Sequence, residues 1–122
     1  MSAMDIRERA AGSVVILEPV GRLVLSEGFR DTLLRDIARD RMAQGSRHFM
    51  IDLAQVSQID TSGLTMLVGV YVAVIRRGGR ITLLNPTKRI SELLHVTKLD
   101  TFFQVFADEK AALASLLADP DS

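Results

Sequence analysis

Asp60, Thr61, Ser62 and Gly63 place one carboxylate and two hydroxyls in consecutive positions, with apolar stretches on either side. Such a cluster at a bend supports three kinds of chemistry. An exposed hydroxyl can accept a phosphoryl group, which adds about −1.5 to −2 charges and three acceptor oxygens. A turn feeding a helix can receive an anion or a nucleotide, because first-turn N–H groups and the helix dipole favour negative charge. The same residues can also be a helix cap and nothing more, since Asp, Ser and Thr side chains accept hydrogen bonds from first-turn N–H groups. The residues alone leave all three open. They argue against an enzyme: Asp60-Thr61-Ser62-Gly63 is not the Gly-x-Ser-x-Gly elbow of hydrolases, and no second base or metal ligand accompanies it. No catalytic residue, cofactor or metal is assigned.

The elements that must position this turn follow from periodicity. Phe49-Met50-Ile51-Asp52-Leu53 reads as a strand buried on both faces, as parallel strands are. Leu64 to Ile75 is apolar nearly all round and too short to span a bilayer. As a helix it turns Leu64, Leu67, Val68, Tyr71 and Ile75 toward a core and leaves Met66, Val70 and Val74 on the opposite side. That surplus is covered either by the same domain or by another protein, which makes Met66 and Val70 candidate partner contacts.

Upstream, Asp5 to Arg9, the turn residues Gly12-Ser13 and Val14 to Val20 predict an antiparallel hairpin whose first strand lies at a sheet edge. Pro19 cannot donate to a ladder, and Gly21 lets the chain turn away. Ser26 is placed as the cap of a first helix, with Phe29, Leu33 and Ile37 inward and the pair Asp31 and Arg35 on a solvated face. Gln44-Gly45-Ser46 stops it. Downstream come a short strand at Arg80 to Leu84, a helix after Asn85-Pro86 with Ile90, Leu93 and Leu94 inward, a strand at Phe102 to Phe106, and a closing helix capped by Asp108. The pattern is an α/β domain: a hairpin followed by βαβαβα units, a mixed, mostly parallel sheet and about four helices. In such sheets functional sites favour loops at the carboxyl ends of strands, where Asp60 to Gly63 falls.

Composition narrows the function classes. The 122 residues fit a single domain over 1–122, with an ordered core over roughly 5–118 and a frayed tail. Fifteen Lys and Arg balance fifteen Asp and Glu, so no global field attracts nucleic acid or anionic lipid. The chain has no cysteine, and His48 and His95 lack the clustered spacing of a zinc site. The amino terminus shows no basic start followed by an apolar stretch, which leads us to expect a cytoplasmic protein without membrane insertion.

Taken together, Asp60-Thr61-Ser62-Gly63-Leu64 before an apolar helix, Gly21 after the second strand, Asn85-Pro86 after the strand at Arg80 to Leu84, and the closing Phe-rich strand and Ala/Leu helix resemble a STAS domain, specifically a bacterial anti-sigma factor antagonist. The resemblance covers nearly the whole chain. It implies a phosphorylated serine at Ser62, with Thr61 as the fallback acceptor, modified by a partner that is both anti-sigma factor and serine kinase. Asp60, Thr61, Ser62 and Gly63, with Met66 and Val70, then form the partner-binding set. Binding of the unmodified domain to the anti-sigma factor frees a sigma factor, and a serine phosphatase restores the domain after modification. Other members of the fold imply different roles: an accessory subunit of a bacterial lipid-transport ABC system, or a stressosome-type scaffold, neither with a switch at Ser62. The chain departs from the family twice. Gly21-Arg22-Leu23-Val24-Leu25 lacks the acidic residue that many antagonists carry after this glycine, in the loop placed toward the kinase and any nucleotide. Lys98 stands where a glycine often precedes the leucine ahead of the last strand.

Overall fold

The computed structural model describes residues 4–24 and 32–118. Strands β1 (Met4–Ala11) and β2 (Val14–Leu23) form the expected antiparallel hairpin. Gly12, at φ +60, provides the left-handed backbone its tight turn requires. Helix α1 (Leu33–Ala43) leads to β3 (His48–Asp52), parallel to β2 with His48 opposite Val14. Then come β4 (Val56–Ile59), α2 (Thr61–Arg76), β5 (Arg80–Leu84), α3 (Lys88–Val96), a 3-10 turn at Leu99–Thr101, β6 (Gln104–Phe106) and α4 (Glu109–Leu117). The sheet runs β1-β2-β3-β5-β6, all parallel after the hairpin, and β4 pairs with the far end of β2. The architecture is the α/β one that the pattern implies.

Alternation along the central strands feeds two cores. Val15, Leu17, Phe49, Ile51 and Leu83 point to one face, where α1, α2 and α3 cover them. Val14, Ile16, Met50 and Leu84 point to the other, closed by Ala112 and Leu116 of α4. Each fully buried side chain of this size contributes about 1.5–3 kcal/mol. At the edge, Arg9 of β1 bonds Glu109 of α4 at 2.5 Å and lies 3.6 Å from Asp52 at the end of β3. Asp108 caps α4 as expected, accepting from the Ala111 N–H at 3.1 Å.

The structure differs from the sequence reading in several places. Strand β4 was not expected. Only Val56 and Ile59 are apolar in it, and pairing with Gly21–Leu23 decides its conformation. Asp52 starts the turn into it by accepting from the Ala54 N–H at 3.0 Å. Gly21 does not turn the chain away: at φ +110 it forms a bulge, and β2 continues to Leu23. Pro19 sits in an inner strand, opposite Ile6. It falls between the stretch of β2 paired with β3 and the stretch paired with β4, where no ladder donor is required. The proposed cap Ser26, with Phe29 and Asp31, lies outside the described residues, as does the tail after Ala118. In α1 the fully buried residues are Leu34 and Ala38, with Leu33 and Ile37 only packed at the margin. The last strand starts at Gln104, because Phe102 and Phe103 still belong to the turn after the 3-10 segment.

Lys98 has φ +61, the left-handed conformation that favours glycine, and its N–H closes the end of α3 on the His95 carbonyl at 3.0 Å. The missing glycine therefore changes energy and not shape. Lys98→Gly is expected to stabilise the domain by about 0.5–1 kcal/mol, the relief of left-handed strain less the added freedom of the unfolded chain. Thermal unfolding of the two proteins checks this.

Candidate functional site

The site is assembled by a close approach of three backbone segments. Asp60 leaves β4 in extended conformation, and its N–H donates to the Leu23 carbonyl at the end of β2 at 3.2 Å. Its carboxylate caps α2 by accepting from the Gly63 N–H at 3.1 Å, and its carbonyl accepts from the Leu64 N–H at 3.0 Å. Gly63 is buried against the strand ends. A Cβ there would lie 2.5 Å from Ile59 Cγ1 and 2.5 Å from the Leu23 carbonyl oxygen. Gly63 is thus a packing residue, and the expectation that it offers surface to a partner is corrected.

The two hydroxyls project from this frame. Thr61 is exposed and its carbonyl accepts from Thr65 Oγ1 at 2.9 Å. Ser62 is partly exposed, and its hydroxyl has no hydrogen-bond partner among the described residues. The cap is Asp60, so Ser62 is not consumed in making the helix start.

Gly63 also fixes the rotation of α2. With Gly63 inward, positions spaced by three and four from it follow: Met66, Leu67, Val70, Ala73 and Val74 are buried. Met66 and Val70 are fully buried, so they present no surface, and their assignment as partner contacts is overturned. The same domain covers the apolar surplus, one of the two explanations left open by the sequence. Val68 and Ile75, expected inward, are exposed, as is Val72.

One groove borders the turn, and a recess lies further along α2. A groove of about 420 Å³ between β4 and α3 is lined by Gln58, Ile59, Arg89, Ile90, Glu92, Leu93 and Val96. A smaller apolar recess of about 140 Å³ lies beside α2, where Tyr71 packs edge-on against Phe103 at 5.0 Å. Arg22, where many antagonists carry an acid, donates from Nε to Gln58 Oε1 at 2.9 Å across the β2–β4 pair. Sequence reading could not find this pair, because it missed β4. The histidines do not join the site. His48 lies at the amino end of β3, at the opposite end of the sheet, and burial followed by the charge of Arg80 lowers its pKa from the ordinary value. His95 projects into solvent and pairs with Asp100 at 3.0 Å. No cluster of three or more metal-ligating side chains occurs among the described residues, and none of their helices is long and apolar enough to cross a membrane.

Fold and site define a small α/β domain that carries an unbonded hydroxyl at a capped helix start, on the carboxyl end of its sheet. The sequence profile of the STAS domain matches residues 6–112, and the chain belongs to that family. Its fold is similar to that of a candidate anti-sigma factor antagonist from Thermotoga maritima, with a TM-score of 0.81 and 21% identity over 93% of this chain and 95% of that one. An anti-sigma factor antagonist from Mycobacterium paratuberculosis has a TM-score of 0.75 and 19% identity, over 96% of this chain and 97% of that one. SpoIIAA of Bacillus, a cell fate determinant solved in its phosphorylated form, has a TM-score of 0.65 and 19% identity, over 93% and 98%.

Proposed function

We propose that this protein is a cytoplasmic anti-sigma factor antagonist that works by partner switching and is not itself an enzyme. Unmodified, it binds an anti-sigma factor that is also a serine kinase and so releases a sigma factor. The kinase transfers the γ-phosphoryl group of ATP to Ser62 Oγ: the new O–P bond replaces the β–γ bridge, ADP leaves, and the hydroxyl proton is lost. A serine phosphatase returns the hydroxyl by hydrolysis of the ester. The observation that carries this reading is the state of Ser62, partly exposed and without a partner among the described residues while Asp60 makes the cap. Phosphorylated and unphosphorylated forms of SpoIIAA share this fold, which supports the reading.

The physics favours modification without unfolding. A phosphate in the first turn of α2 sits at the positive end of the helix dipole, so the domain tolerates it. A partner docked over the turn meets its bulk, its desolvation cost and its repulsion from acidic groups. The test is capture from the native host by three baits: wild type, Ser62→Asp, and protein carrying phosphate on Ser62. Wild type is expected to retain a serine-kinase-type anti-sigma factor, and phosphate to weaken that complex about a hundredfold, or about 2.7 kcal/mol. Equal retention of a transport ATPase, or of any other partner, by all three baits overturns the reading and makes Ser62 a bystander.

A further inference from the structure

The solvent face of α2 has a symmetry that the fold does not use. Ser62, Gly69 and Arg76 are spaced by seven residues, so they lie on one face of the helix, and Thr65 and Val72 fill the line between them. Gly69 stands at the middle of the 16-residue helix. A Cβ there would meet nothing within 4 Å, so no packing inside this chain calls for glycine at that position, where glycine weakens a helix. Along one side of it run apolar side chains left in solvent: Val72, nearest, is 39% exposed, and Val68 and Ile75, further round, are 38% and 45% exposed. A bare backbone at the border of an exposed apolar strip suits the close approach of a second helix.

The charges say which helix. Ser62 lies seven residues before Gly69 and Arg76 seven residues after it, so a helix laid antiparallel across Gly69 with the same sequence brings Arg76 against Ser62 at both ends. Arg76 and Arg77 have no ion-pair partner among the described residues. We propose that α2 is a self-association surface: two copies pack antiparallel across Gly69, and phosphate on Ser62 of each copy is held by Arg76 of the other. Such a twofold contact is isologous, each copy offering the same patch. Antiparallel helix dipoles add to it, and a guanidinium pairs strongly with phosphate. The phosphate-dependent part rests on the reading of Ser62 given above, and it gives the modified form a resting state in which the turn that carries Ser62 is covered.

The experiment is sedimentation velocity over a concentration series, on unmodified protein and on protein with phosphoserine installed at position 62 during translation, which needs no kinase. Phosphate is expected to tighten the monomer–dimer equilibrium about tenfold or more. Arg76→Glu, a surface change, is expected to remove that gain, and Gly69→Leu to abolish the dimer of both forms. A phosphorylated chain that stays monomeric overturns the proposal. So does a dimer indifferent to both substitutions. Either result leaves partner release by phosphate standing, because that is read from capture of the anti-sigma factor and not from self-association.

Discussion

Gly63→Ala is expected to destabilise the domain by about 3 kcal/mol, the upper part of the usual range for overpacking a tight contact. The added methyl group would meet Ile59 Cγ1 and the Leu23 carbonyl oxygen at 2.5 Å each, and Leu23 Cβ at 2.9 Å. The carbonyl cannot swing aside, since it accepts the Asp60 N–H that ties β2 to the start of α2. Relief must come from moving the helix start or the strand end, and either movement loosens the cap made by Asp60. For a domain of this size the loss lowers Tm by about 10 °C. Gly69→Ala is the matched control on the same helix: with open space around its Cβ, it is expected to stabilise by about 0.5–1 kcal/mol. Urea unfolding of both variants checks the pair. A Gly63→Ala midpoint close to wild type would show that the strand ends yield and that this approach does not fix α2.

The legibility of the fold follows from which signals are local. The hairpin, the buried strand β3 and the βα order were readable because Gly12, the run Phe49 to Leu53 and the helix-length apolar stretches each act within a few residues. Strand β4 was not, since a four-residue strand with two apolar positions owes its existence to the end of β2, more than thirty residues away in sequence. The site was half legible. Asp60 and Ser62 were found by residue type, and their different duties, cap and free hydroxyl, became visible only with the hydrogen bonds in place. The departure at Arg22 was visible in the sequence, but its partner Gln58 was not, because the pairing needs β4.

The rotation of α2 failed for another reason, and it yields the second large effect. A helix that is apolar nearly all round has no strong preference for one face, so periodicity could not orient it. Gly63 could have: a glycine in the first turn, between residues that tolerate a side chain, marks the point of closest approach and turns Met66, Val70 and Val74 inward with it. Met66→Ala is therefore expected to cost about 3–4 kcal/mol, the loss of a fully buried side chain plus the cavity it leaves among α1, α2 and the sheet. Val72→Ala, on the exposed face, is expected to change stability by less than about 0.5 kcal/mol, so its partner binding is scored without that confusion. Measured together in denaturant and in capture of the proposed anti-sigma factor, the two variants separate core from solvent face. The orientation predicts that Met66→Ala loses binding only as far as it unfolds the domain, whereas any change of binding in Val72→Ala occurs at full stability. The reverse pattern, a stable Met66→Ala protein and an unfolded Val72→Ala protein, would require α2 to be turned by about half a revolution, with Gly63 facing solvent.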